Sequence, residues 1–330
     1  MPANLPPQYH EVERKFRSAK NPMEKMAILE EMMAIMPKHK GTDHLRAELR
    51  GRMAKLQQMA TKKTGAQRAS MAVEKEGAAQ VAVLGLPNSG KSQLLNAVTN
   101  ATTTVAEYPF TTQVAIPGMM PYEDIQFQLI DTPPLLPQAI QWWLPSILRQ
   151  TDALLLMVDL GERPLEQLDS IRRQLAGMRI YVGVEATVSQ LDEELITWHK
   201  KAIVVGNKLD KDTDGRNFKA LEHKYEGELP LTAISASNNQ GLEEMKQLLY
   251  ETLGLIRVYT KAPGKKADMT DPIILKRGST LGDAATSVHK DFAHNLRFAR
   301  IWGSGKHDGV MAGRDHVLAD GDVIELHLKD

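Results

Sequence analysis

The sequence predicts an α/β fold: a mostly parallel sheet with helices on both faces, preceded by a helical hairpin and followed by a smaller mixed α+β domain. Three observations carry this expectation. From Gln80 onward, short apolar runs alternate with amphipathic segments, the pattern of a parallel sheet covered on both sides. Ahead of that point, two runs repeat apolar residues at helical spacing on either side of the breaker PKHKG. Beyond Gly254 the apolar runs are short and β-like. At 330 residues, with 42% hydrophobic and 25% charged residues, the chain can form two or three domains, each with its own core.

The elements follow in order. PMEKMAILEEMMAIM (Pro22 to Met36) puts Met26, Leu29, Met32, Met33 and Met36 on one stripe. The second run does the same with Leu45, Leu49, Met53, Leu56 and Met59, and Thr42 or Asp43 can cap it. Joined by a short turn, the two make a hairpin whose stripes pack on each other. Arg46, Arg50, Arg52 and Lys55 fall on the opposite face of the second helix. Residues 61 to 79 are polar and small and form a linker. QVAVLG, IQFQLID, DALLLMVDL and KAIVVGN are predicted strands, with LPLTAIS a weaker one; QLLNAV, PLEQLDSIRRQL and GLEEMKQLLYETL are predicted helices. The stretch from Arg179 to Lys200 is long for one connection and is expected to add a helix near Gln190 to Trp198. In the tail, RVYTK, PIILKRG, RFARIWG and DVIELHL are β-like, with one helix expected in TLGDAATSVHKDFA. The expected domain limits are 1–75, 76–254 and 255–330.

Composition excludes several classes. With no cysteine there are no disulfides or thiolate metal sites, as suits a reducing cytosol. No apolar run approaches the roughly 18 residues of a membrane span, and MPANLPPQYHEVERK lacks a signal-peptide core. The expectation is a cytoplasmic protein with no membrane partner. The net charge of zero is unevenly spread: residues 1 to 75 hold 15 Lys/Arg against 8 Asp/Glu, and residues 256 to 330 hold 12 against 10, which leaves the centre acidic. A basic arm on an acidic centre suits a polyanion met by the arm, although a solvated helical face gives the same count.

Gly85-Leu86-Pro87-Asn88-Ser89-Gly90-Lys91-Ser92 lies between the strand QVAVL and the helix SQLLNAV. That is the setting of a phosphate loop: glycines let backbone N–H groups turn toward phosphate, Lys91 reaches the β and γ groups, and Ser92 ligates Mg²⁺. A glycine-rich turn beside a surface lysine is the plainer alternative. Asn207-Lys208-Leu209-Asp210 ends the strand AIVVG, and the Asp210 carboxylate can accept both N–H donors of a guanine edge, a pair that adenine does not offer. Ser235, Ala236 and Ser237 would complete the base pocket. Asp131, at a strand end, can hold Mg²⁺ through water, and one threonine of YPFTTQ (Tyr108 to Gln113) would be a second protein ligand to the metal.

This order of motifs resembles a translation-factor-class GTPase, and more narrowly the Obg and developmentally regulated GTP-binding (DRG) family. GLPNSGKSQLLNAVTN, AEYPFTTQ and the basic hairpin are similar to that family, and residues 257 to 303 resemble a TGS domain, a ubiquitin-like β-grasp module. The resemblance implies a P-loop GTPase domain, a C-terminal TGS domain, GTP and GDP as ligands, Mg²⁺ as cofactor and ribosomes or structured RNA as partners, with no DNA expected. It also makes Thr112, rather than Thr111, the expected metal ligand, catalytic together with Lys91. The chain departs from the family by lacking the long insert of DRG proteins before the NKLD strand.

LIDTPPLLP (Leu129 to Pro137) departs further. Where the family has a glycine whose N–H meets the γ phosphate, this chain has Pro134, which has no N–H. The next position, a water-orienting glutamine in Ras-like enzymes, is Leu135. Relatives with an apolar residue there often depend on K⁺, and Asn88 matches the asparagine that helps hold it. The leading expectation is therefore slow hydrolysis of GTP stimulated by K⁺ or a partner. The alternatives are a nucleotide-gated binding module with little turnover and, least favoured given NKLD, an ATP-using enzyme.

Overall fold

The computed structural model describes residues 74–99, 116–136, 141, 143–184, 187–190, 196–304 and 307–328, together with Tyr9, Val12, Ile28, Leu29, Met32, Leu49 and Gly51. The chain divides into two compact units, Met1–Ala72 and Val73–Asp330. In the first unit all seven described residues are helical, and all but Gly51 are buried. Leu29, Met32 and Leu49 thus occupy the core their stripes predict, while Tyr9 and Val12 are helical and buried at positions the periodicity did not assign. The basic face at Arg46, Arg50, Arg52 and Lys55 lies outside the described residues.

The second unit holds two sheets. The larger runs β2 (Ile116–Tyr122), β3 (Ile125–Asp131), β1 (Ala79–Gly85), β4 (Ala153–Asp159), β7 (Ile196–Asn207) and β5 (Ile180–Gly183) in spatial order, with β6 (Thr187–Gln190) and β8 (Leu231–Ala233) also paired to β7. β1 pairs in parallel with both β3 and β4, and β4 with β7. β4, ALLLMVD, is buried along its whole length because helices cover both faces. On one face Leu154, Leu156 and Val158 pack with α2 (Leu144–Gln150), α3 (Pro164–Gly177) and α4 (Arg216–Tyr225). On the other, Leu155 and Met157 pack with α1 (Lys91–Val98) and α5 (Leu242–Leu253). This layering puts the carboxyl ends of β1, β3 and β7 at one rim, where ligands of open α/β sheets bind.

One expectation is corrected here. The described residues of the range Gln190 to Trp198 are strand and not helix: β6 and the start of β7 pair antiparallel, Val188 opposite Trp198 and Gln190 opposite Ile196. ITWHK alternates with period two and carries β-branched Ile196 and Thr197, so pairing to a sheet edge outweighs helical spacing.

The smaller sheet runs β10 (Asp268–Lys276), β9 (Leu255–Thr260), β13 (Asp322–Leu328), β11 (Leu296–Trp302) and β12 (Val310–Ala312). Its core, with Val258, Ile301 and Ile324 at the centre, is separate from those of the larger sheet. The one helix expected in its sequence is two, α6 (Leu281–Val288) and α7 (Lys290–Asn295), because His289 between them is extended. Among the described residues no helix is long and apolar enough to cross a membrane.

Candidate functional site

β1 delivers the chain to a turn that closes onto α1. Gly85 is the last residue of the strand, Leu86 is half-buried, Pro87 and Asn88 are exposed, and Ser89 is buried. Gly90 caps the helix with φ of 95°, and a Cβ there would lie 2.2 Å from Asn207 Nδ2, so both backbone conformation and space require glycine. At Gly85 a Cβ would meet Ser89 Oγ at 2.5 Å and the Met157 carbonyl at 2.8 Å. Asn88 adopts φ of 63°, one of the few non-glycine residues in the left-handed region.

Lys91 and Ser92 open α1. The Lys91 ammonium is buried and donates to the Gly85 and Leu86 carbonyls at 3.2 and 3.5 Å. Burial pushes its pKa down, partly opposed by the Asp131 charge. Ser92 Oγ donates to Asp131 Oδ2 at 3.0 Å, joining the start of α1 to the end of β3. Burial pushes the Asp131 carboxyl up, and the Ser92 hydrogen bond and Lys91 oppose that shift.

Among the described residues, Asp131 Oδ1 is buried without a hydrogen-bond partner, and so is Ser89 Oγ in the phosphate loop. A carboxylate oxygen lacking a donor, beside a hydroxyl, suits a hard cation that prefers oxygen ligands, so Ser92 and Asp131 fit Mg²⁺. Thr112, with the rest of YPFTTQ, lies outside the described residues.

The base-side residues gather at the end of β7. Asn207 is 1% exposed; its Nδ2 donates to the Ser89 carbonyl at 2.9 Å, and its Oδ1 accepts from the Ala236 N–H at 3.1 Å. It thereby ties the phosphate loop to the Ser235-Ala236-Ser237 loop. Lys208, at φ of 64°, pairs with the buried carboxylate of Asp159, whose other oxygen accepts from the Gly161 N–H at 2.8 Å. Asp210 is exposed in a short turn (Leu209–Lys211) and accepts from Ser235 Oγ at 2.5 Å, and that bond leads the causes lowering its pKa. Ser237 Oγ lies 3.1 Å from Ser235 Oγ. Asp159 was not singled out in the sequence; its signal is only its place at the end of a buried strand.

The segment after Asp131 is fixed in an unexpected way. Thr132 Oγ1 donates to the Val83 carbonyl at 2.7 Å, Pro134 is exposed, and Leu135 is buried in the sheet core. The Leu135 N–H donates to the Gly85 carbonyl at 3.0 Å. The first N–H after the proline is therefore spent on the phosphate loop itself.

Comparison with known proteins agrees with this geometry. Residues 80–208 match the family model described as 50S ribosome-binding GTPase, and residues 256–328 match the TGS domain. An uncharacterized GTP-binding protein of Methanocaldococcus jannaschii is 31% identical, the match covering 93% of each chain. A developmentally-regulated GTP-binding protein 2 homolog of Dictyostelium discoideum is 28% identical over 92% of this chain and 98% of the relative. The ribosome-interacting GTPase 1 of Saccharomyces cerevisiae is 26% identical with the same coverage. By phosphate loop, NKLD turn, TGS sheet and relatives matched along nearly its full length, the chain belongs to the developmentally regulated GTP-binding protein family.

Proposed function

We propose that the protein is a slow, Mg²⁺-dependent and K⁺-stimulated GTPase switch acting on ribosomes or structured RNA. Its parts would be the basic hairpin at 1–75, the GTPase domain at 76–254 and the TGS domain at 255–330. The observation that carries the reading is the convergence of Lys91, Ser92 and Asp131 at one end of the site and Asn207, Asp210 and Ser235 at the other, linked through the bond from Asn207 to Ser89. Lys91 and the amides of residues 85–92 would hold the phosphates, and Asp210 would select guanine. Ser92, Thr112 and, through water, Asp131 would hold Mg²⁺, which when bound supplies positive charge to the phosphate oxygens. Asn88 is the proposed K⁺ ligand.

What supports slowness is the segment after Asp131. Pro134 offers no N–H, and Leu135 has its side chain in the core and its N–H on Gly85. Neither side chain has a polar group to orient a water. A hydrogen bond to charged phosphate contributes roughly 1.5 to 3 kcal/mol, so losing one leaves binding intact while loosening the link between γ phosphate and this segment. Turnover in KCl should exceed that in NaCl, and Asn88→Asp should change the ratio; equal rates throughout would remove K⁺ from the reading. The same buried Leu135 favours a second reading, a nucleotide-gated binding module. Single-turnover hydrolysis with and without ribosomes separates the two, since stimulation supports the switch and persistent inactivity supports the module. The relative named as ribosome-interacting supports ribosomes as the partner to test.

A further inference from the structure

We propose that Arg257 and Tyr259 are positioning residues that tell GTP from GDP: by holding the turn between β2 and β3 they favour the GTP-bound form, so that the smaller sheet reads the nucleotide. The inference rests on the GTPase reading above and assigns its readout to named residues.

Two segments adjoin Asp131. The one that follows it is already committed: Thr132 Oγ1 donates to the Val83 carbonyl, the Leu135 N–H donates to the Gly85 carbonyl, and Pro134 has no N–H to offer. The other is the hairpin of β2 and β3. Its register is unbroken through seven pairs, from Ile116 opposite Asp131 at the site to Tyr122 opposite Ile125 at the turn, about 20 Å away at strand rise.

Of the two strands, β2 is the compliant one. β3 is paired to β1 as well, from Phe127 to Asp131, whereas among the described residues β2 pairs with β3 alone. Pro117 and Pro121 cannot donate to that ladder. At its far end β2 is secured from the smaller sheet. Arg257 on β9 bonds to Glu123 and, at 3.0 Å, to Asp124, and the Tyr259 hydroxyl donates to the other Asp124 oxygen. Glu123 takes φ of 50° in this two-residue turn, a conformation that a non-glycine residue keeps where its surroundings enforce it. The Tyr122 ring lies 5.4 Å from that of Tyr250, whose hydroxyl shares Asp320 with the Arg257 guanidinium.

The near end of β2 follows Thr112 by four residues. Thr112 is proposed above as a Mg²⁺ ligand, and such a contact forms with the γ phosphate and is released when that phosphate is lost. An edge strand tethered at one end has less freedom left to lose at the other, so the metal contact and the grip of β9 reinforce each other. Linkage makes the effect reciprocal: the factor that the grip adds to GTP affinity is the factor that GTP adds to the grip.

The test uses the full chain at millimolar Mg²⁺, with fluorescent GDP and a fluorescent non-hydrolysable GTP analogue as probes and hydrogen exchange read by mass spectrometry. Tyr259→Phe, which keeps the ring and removes only the hydroxyl, and Arg257→Ala should each weaken the GTP analogue about fivefold or more and leave GDP affinity unchanged. In the parent, residues 116–125 and 255–260 should exchange more slowly with the analogue than with GDP, and the difference should disappear in both variants. A purely structural loss would weaken both nucleotides alike. An unchanged affinity ratio in either variant, or exchange over 255–260 that is the same with both nucleotides, would overturn the proposal. If exchange responds only over 132–136, the segment after Asp131 reads the nucleotide and the GTPase reading stands without this inference; if the parent binds neither probe, that reading itself fails.

Discussion

Asp131 and Lys91 carry charges that burial disfavours, shifted in opposite directions, the carboxyl upward and the ammonium downward. For Asp131 the sign is plain. A carboxyl whose pKa is higher folded than unfolded holds its proton more tightly in the fold, so its contribution to stability is greatest at low pH and falls as pH rises through the folded value. At neutral pH the bare carboxylate therefore opposes folding. Asp131→Asn should raise the melting temperature of the protein free of nucleotide and metal at pH 7, while reducing the further rise produced by Mg²⁺ and GDP. Differential scanning fluorimetry with and without ligand checks both; a variant that melts lower in each condition would contradict this. Residues at this scale were legible where local placement depends on neighbours a few positions away, as in the strand-turn-helix of GLPNSGKS and the turn at NKLD. The bond from Asn207 to Ser89 joins positions 118 apart, and no local spacing announces it.

Elements were legible where periodicity was clean. IQFQLID and PLEQLDSIRRQL became β3 and α3 almost to the residue. β2 escaped because IPGMMPY contains two prolines and a glycine, which a sheet tolerates at its edge, where β2 lies. α2 escaped because Pro145, tolerated in a helix's first turn, interrupts WWLPSIL. α4 has a strongly polar sequence and only Leu221 and Tyr225 buried, too few to mark a stripe. In α6 the start is written locally: Thr280 accepts from the Asp283 N–H at 3.3 Å, and Asp283 accepts from the Thr280 N–H at 2.7 Å. Thr280→Ala removes that reciprocal cap and should cost about 1 kcal/mol, read from urea denaturation. An unchanged midpoint would mean the strands hold α6 without its cap.

Across the larger compact unit, the two sheets meet at Arg257. Its guanidinium pairs with Glu123 and Asp124 on the turn between β2 and β3 and with Asp320 beside β13, and the Tyr250 hydroxyl donates to Asp320 at 2.7 Å. Burial pushes the Asp320 carboxyl up, but the bonds from Arg257 and Tyr250 outweigh it and hold the pKa at about 2. A carboxyl depressed in the fold stabilises it above the unfolded value of 3.8, and that contribution is lost as pH falls toward about 2. Arg257→Ala leaves three carboxylates without their cation; as Glu123 and Asp320 are 54% and 37% exposed, the cost should be about 2 kcal/mol rather than that of a fully buried pair. Acid melts of parent and variant should converge as the pH drops through that window, and a constant difference would locate the effect elsewhere. This junction was not legible, since no motif marks an arginine that acts across 134 positions of chain. It has a practical corollary for dissecting the molecule. A fragment ending at Gly254 would retain every residue proposed above to contact nucleotide, yet it would strip Ile274 from the apolar core against which Tyr122 and Leu248 also pack and leave Glu123 and Asp124 without their cation. Low solubility of such a fragment would report a missing neighbour, not a defective pocket.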